Sequence, residues 1–218
     1  LEMTMDMLML GAMYAPTDSL TLMLMVPWIE KSMSHRTGMG AEFETNTSGF
    51  GDLGLSALVP VWQSGVHRAH LNLGLSIPTG SVTERGATPM NPDAKLPYPM
   101  QLGSGTWDLV PGITYTAQED AWLWGGQLTY RLRTGDNSED YSLGNVFDAT
   151  AWVDRRLARD FGVSLRLAYR DQDNIDGADP ELNPMMVPTA DPSLRGGERL
   201  DALVGFDWAP QAGAAAGQ

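Results

Sequence analysis

Methionine is the residue type whose chemistry stands out first in this chain. Met3, Met5, Met7, Met9 and Met13 fall at alternate positions, and Met23 and Met25 resume that spacing after a turn. Thioether sulfur is a soft ligand suited to Cu(I). It is also a flexible, polarizable contact for irregular apolar molecules, and an ordinary filler of gaps. Met33 and His35 follow close by. Metal handling, contact with a hydrophobic substrate and plain packing therefore all stay open for this stripe.

A second group mixes charges of both signs. Asp52, His70, Asp108, Arg131, Arg133, Arg166 and Arg170 sit opposite apolar neighbours in alternating stretches. Such groups either pair with one another and fill an interior or line a watery path through it. With Met5, Met7, Met9, Met13, Met23 and Met25 they are the candidate residues for a substrate-contacting interior. Between Asp171 and Asn183, Asp173, Asn174, Asp176, Asp179 and Glu181 supply many oxygens. Ile175, Asp176 and Leu182 stand where a calcium loop of the EF-hand kind needs a ligand, a glycine and a glutamate. A solvated, turn-rich loop is the simpler reading. His35, His67 and His70 have no nucleophile pattern beside them, and Gly103-Ser104-Gly105 leads into a strand rather than a helix. No enzyme and no cofactor are expected, and the metal ligands, if any, are left unassigned.

Strands must position these groups. Side chains of a strand point alternately to opposite faces. Residues 67–79 accordingly put Arg68, His70 and Asn72 on one side and Leu71, Leu73 and Leu75 on the other. The same alternation marks nine segments: 3–15, 19–31, 50–62, 67–79, 105–117, 121–134, 144–157, 161–172 and 197–209. They are longer than the usual soluble strand of about 5–6 residues and long enough for the roughly 9–11 that cross a bilayer. Pro111 predicts a bulge, because proline donates no ladder hydrogen bond. Short turns at 16–18, 63–66, 118–120 and 158–160 alternate with long loops at about 32–49, 80–104, 135–143 and 173–196. That alternation is the signature of a barrel with short periplasmic turns and long external loops. Tyr14, Tyr115, Trp122, Trp124 and Trp208 gather near the turns, and Trp28, Trp107, Tyr130 and Tyr169 near the loops, as two membrane interfaces select. The methionines should then point inward, with Asp6 the misfit on the lipid face.

The totals agree. With 218 residues, 43% hydrophobic and 19% charged, the chain suits one domain, over 1–209, followed by a flexible tail at 210–218. The absence of cysteine removes disulfides, thiolate metal sites and cysteine nucleophiles. A net charge of −13 argues against a nucleic-acid partner. The fold class expected is all-β: an antiparallel transmembrane β-barrel in the bacterial outer membrane. Its partners would be membrane lipid and a small-molecule substrate, with the oligomeric state left open. Nine strands is an odd number where bacterial single-chain barrels have an even one, so truncation at one or both ends is also expected. A structural or copper-binding barrel and a soluble binding barrel remain as alternatives.

Four pieces recur in a known order: Met13-Tyr14-Ala15-Pro16-Thr17-Asp18, Gly51-Asp52-Leu53, Leu75-Ser76-Ile77-Pro78-Thr79-Gly80-Ser81 and Gly103-Ser104-Gly105-Thr106-Trp107-Asp108. In this the chain resembles bacterial outer-membrane transporters of the phenol meta-degradation-pathway type, over roughly residues 13–209. The resemblance implies a barrel and uptake of hydrophobic or aromatic small molecules. It carries over no binding residue.

Overall fold

The structure, a computed structural model, describes residues 2–36 and 42–208. The tail expected at 210–218 lies outside the described residues. In chain order the strands are β1 (Glu2–Thr17), β2 (Leu20–Arg36), β3 (Glu42–Phe50), β4 (Leu53–Ser64), β5 (His67–Ile77), β6 (Arg85–Gly86) and β7 (Ala94–Lys95). There follow β8 (Asp108–Glu119), β9 (Trp122–Arg133), β10 (Tyr141–Ser142), β11 (Val146–Ala158), β12 (Phe161–Gln172), β13 (Asp176–Gly177) and β14 (Gly197–Trp208). The long strands form one antiparallel sheet in the order β1-β2-β4-β5-β8-β9-β11-β12-β14, with β3 pairing β2 beyond β4. This sheet curls into part of a barrel, and β1 and β14 end its path among the described residues.

Two-residue turns at 18–19, 65–66, 120–121 and 159–160 close one end. Gly65 takes φ +57°, a left-handed conformation that costs glycine nothing. The opposite end carries the loops. One expected loop is shorter than the sequence suggests: most of 32–49 is hairpin, with β2 running to Arg36 and β3 starting at Glu42. Its outer positions are Glu30, Ser32, Ser34, Glu44 and Asn46, so no apolar alternation betrays the strands.

Asp6 belongs to the same extension. It lies opposite Glu30, past the Leu8–Trp28 pair, where the outer face has already turned polar. The aromatic boundary at this end contains Trp28 against Phe50, their rings 5.0 Å apart and edge-on, with Trp107, Tyr130 and Tyr169 further round. At the turn end Trp62, Trp122, Phe161, Phe206 and Trp208 are exposed, and Arg155 lies 4.7 Å over the Trp122 ring. Between the two rings of aromatics the outer face is exposed leucine, isoleucine and valine: Leu10, Leu24, Leu55, Leu73, Ile113, Leu128, Leu165 and Val204 among them. A surface this apolar is stable against hydrocarbon and not against water.

The bulge expected at Pro111 is absent: Leu109 pairs Leu132 and Gly112 pairs Thr129 in unbroken register. The pairing to β9 skips Val110 and Pro111 without a shift, and toward β5 Pro111 still faces Leu73. The register instead shifts at Pro60, between Pro60 and Trp62.

Candidate functional site

The feature that organises the interior is a break between β3 and β4. Trp28 pairs Phe50 and Met25 pairs Gly54, so two residues of β2 face three of its neighbour, Gly51, Asp52 and Leu53. One extra residue makes a bulge, which re-aims a side chain out of the ladder. Here it re-aims Asp52. One Asp52 oxygen accepts from the Gly80 amide at 3.0 Å, and the other accepts from the Ser104 amide at 2.8 Å and its hydroxyl at 2.7 Å. A single carboxylate therefore joins the two ends of the loop 80–104. At this neck the backbones touch: a Cβ on Gly103 would lie 2.4 Å from the Gly80 carbonyl oxygen.

Held so, the loop folds inward. Lys31 on β2 donates to the carbonyls of Pro99, at 2.8 Å, and Gln101, at 2.5 Å, while Thr47 on β3 donates to that of Met100 at 2.9 Å. Met100 and Leu96 pack with Met33 in one small buried cluster. Tyr98, Tyr141 and Ile175 make another, which ties in the loops after β9 and β12. The ammonium of Lys95 is buried between Glu139, at 2.7 Å, and Asp179, at 3.1 Å, so one cation joins three loops. Burial, first of all, pushes the Tyr98 and Tyr141 hydroxyls above the ordinary tyrosine range. Both stay protonated at any physiological pH, and the Tyr98 hydroxyl accepts from the Asp179 amide at 3.0 Å.

A more exposed tie has a testable pH dependence. Arg85 grips both oxygens of Glu181, at 3.1 and 2.9 Å, and those hydrogen bonds hold the Glu181 carboxyl below the ordinary glutamate range. A depressed acid contributes stability above its unfolded value and loses it as pH falls through the folded value. Hydrogen exchange over 178–182, corrected for intrinsic rates, is therefore expected to hold steady from about pH 8 to 5 and to rise only below about pH 4.3, the ordinary glutamate value.

Beneath the inward fold lies a cavity of about 560 Å³. Met7 and Met9 of β1 and Met25, Pro27 and Ile29 of β2 form an apolar wall. Arg131 and Arg133 of β9 and Arg195 of the loop before β14 also line it, while Lys31 and Asp52 border the apolar wall, on β2 itself and in the bulge beside it. Asp108, with no exposed surface, accepts from both arginines, Arg131 at 3.3 Å and Arg133 closer still, and from the Thr106 hydroxyl at 2.8 Å. Two guanidinium groups thus share one carboxylate. Burial lowers the Arg195 pKa, but a guanidinium keeps its charge in such settings.

Of the residues singled out by sequence, the cavity gathers Met7, Met9, Met25, Asp52, Arg131 and Arg133, with Asp108 just behind. Met5 pairs Lys31 at its rim, on the loop side. Met13 and Met23 pair each other toward the turn end. His70 pairs Thr114, a buried position of that same end. Arg166 stacks 5.4 Å over Trp152, and Arg170 is bound by both oxygens of Asp148 at 2.7 and 3.1 Å, so both lie in side-chain pairs away from the cavity. Sequence reading missed Lys31, on the inner face of β2, and Tyr98, Gln101 and Arg195, which reach the cavity through the fold of the loops. Lys31 carried one signal: it is one of only two lysines. Among the described residues no three histidine or carboxylate groups are arranged to hold a metal ion.

Comparison with known proteins adds the following. The model of the family described as "Putative MetA-pathway of phenol degradation" matches residues 12–186. No curated protein matches the chain. Among solved structures, an outer membrane channel from Pseudomonas putida F1 superposes with a TM-score of 0.57 at 18% identity, over 79% of this chain and 62% of that one. The chain thus spans less than two thirds of that structure. At such identity the match speaks to the fold, which is that of a transmembrane β-barrel.

Proposed function

This chain belongs to the family of the MetA-pathway of phenol degradation, and from that premise we propose that it forms a channel for small hydrophobic or aromatic molecules in the bacterial outer membrane. The observation that carries the reading is the cavity inside the curled sheet, walled by Met7, Met9 and Met25 and roofed by a loop that one carboxylate clamps to the wall. Short turns then face the periplasm and the long loops the outside. Methionine suits this work because unbranched thioethers conform to flat apolar molecules without fixing one shape. Polar groups opposite keep the passage wet and orient a molecule that carries a hydroxyl or a charge. The relative from Pseudomonas putida F1, named as an outer membrane channel, supports this reading.

Copper handling by the stripe fits less well. Lys31 lies opposite Met5, and Arg131 and Arg133 share the cavity with Met7 and Met9. Cations so placed repel a metal ion.

Full-length protein in planar bilayers is expected to give discrete current steps, and a small aromatic added to either chamber should interrupt them. Steady bilayers at high protein load, together with no aromatic uptake into loaded liposomes, would remove the transport claim.

A further inference from the structure

We infer that the cavity takes its cargo as an anion: a small aromatic carboxylate, its ring against Met7, Met9 and Met25 and its charge met by Lys31, Arg195 and the two arginines of β9. The inference rests on the channel reading above and names the substrate class of that same site.

Charge is distributed unevenly along this chain. The whole chain carries −13, yet four cations, Lys31, Arg131, Arg133 and Arg195, face the cavity against two carboxylates, Asp52 and Asp108. A local surplus of cations within so acidic a chain is a concentrated departure from its composition.

The charged groups also differ in their partners. Lys95, the other lysine, is neutralised by Glu139 and Asp179. Among the described residues Lys31 is bound only by carbonyl oxygens, which orient the ammonium without cancelling its charge. Arg195 has no carboxylate partner among the described residues, and it lines the same cavity as Lys31. Asp52 is saturated by three donors of the loop neck. Asp108 is fully buried and divided between two guanidinium groups, of which Arg131 remains more than a third exposed. Uncancelled positive charge thus faces the cavity, while both carboxylates are already occupied by donors.

A planar carboxylate pairs with guanidinium through two parallel hydrogen bonds, and a ring beside it needs an apolar, adaptable wall. The methionines provide that wall on the other side of the same cavity. The acidic outer loops do not forbid an anion, because exposed charges are screened within about 8 Å at physiological salt.

Benzoate and benzamide, nearly equal in size, separate the charge from the ring. Each is added to full-length protein in planar bilayers and its half-blocking concentration is read from the current. Benzoate is expected to block at about tenfold lower concentration than benzamide, the worth of one charge-assisted hydrogen bond. Lys31→Gln should collapse that ratio and Lys31→Arg should restore it, with heat-modifiable gel migration showing that both variants fold. Equal blocking by the two probes, or blocking by neither while current flows, overturns the anion inference and leaves the channel standing. No current under any condition overturns the channel reading, and the inference with it.

Discussion

Asp52→Ala is expected to raise the single-channel conductance several-fold and to admit larger sugars in liposome swelling. The carboxylate accepts three hydrogen bonds that close the neck of the loop 80–104, from Gly80 and from the amide and hydroxyl of Ser104. Hydrogen bonds to a charged group are worth about 1.5–3 kcal/mol each, and about 3 kcal/mol shifts an open–closed equilibrium roughly 150-fold. Lys31 and Thr47 still hold the middle of the loop, so the change is loosening of the fold rather than its loss. Asp52→Asn should fall between wild type and alanine, since its amide nitrogen offers a donor where an acceptor is required. Gly103→Ala reaches the same end sterically, because its Cβ would overlap the Gly80 carbonyl oxygen and the Asp52 side chain. Unchanged conductance in both Asp52→Ala and Gly103→Ala would mean that the clamp does not hold a constriction.

Asp108→Asn is expected to cost about 3 kcal/mol of stability, since breaking a buried pair leaves an uncompensated charge. The partial exposure of Arg131 argues for the lower part of the usual range, and the deeper Arg133 supplies most of the loss. The heat-modifiable band on gels should convert at a lower temperature than wild type. Surviving channels should favour chloride over potassium more strongly, because two arginines then face the cavity without their shared carboxylate. Adding Arg133→Met to Asp108→Asn should recover part of the stability by removing the stranded cation. A variant with wild-type thermal behaviour and wild-type ion preference would show that Asp108 does not neutralise this wall.

Much of the fold is legible because a lipid-facing sheet writes itself in period two. His67–Ile77 and Phe161–Gln172 can be read from the alternation of Leu71, Leu73 and Leu75, or Leu165 and Leu167, with polar neighbours. Where the outer face leaves the apolar zone, that signal stops. Glu42–Phe50 is a strand whose outer residues before Phe50 are Glu42, Glu44, Asn46 and Ser48, so it reads as loop. Prolines mislead in a related way: Pro111 and Pro60 look alike in sequence, and only the partner strands decide which one the register steps around.

The candidate site is legible in halves. Strand periodicity places Met7, Met9, Met25, Arg131 and Arg133 on the face that lines the cavity. Lys31 continues the period of Met25, Pro27 and Ile29 on β2, but its partners Pro99 and Gln101, like Arg195, depend on how the loops fold, and nothing periodic announces that. Asp52 was visible as a polar residue on that face; its part as a clamp comes from one extra residue in the strand beside β2.

The chain's lack of cysteine makes the decisive measurement direct. Single cysteines are placed at Met25, in the cavity wall, and at Leu24, on the exposed outer face. Full-length protein carrying each is recorded in planar bilayers while a charged, water-soluble methanethiosulfonate reagent is added. If the cavity lies on the permeation path, the current through Met25→Cys falls within minutes and returns on reduction, while Leu24→Cys is unaffected. Current through Met25→Cys that persists after complete labelling, verified by mass, would contradict a channel running through this cavity.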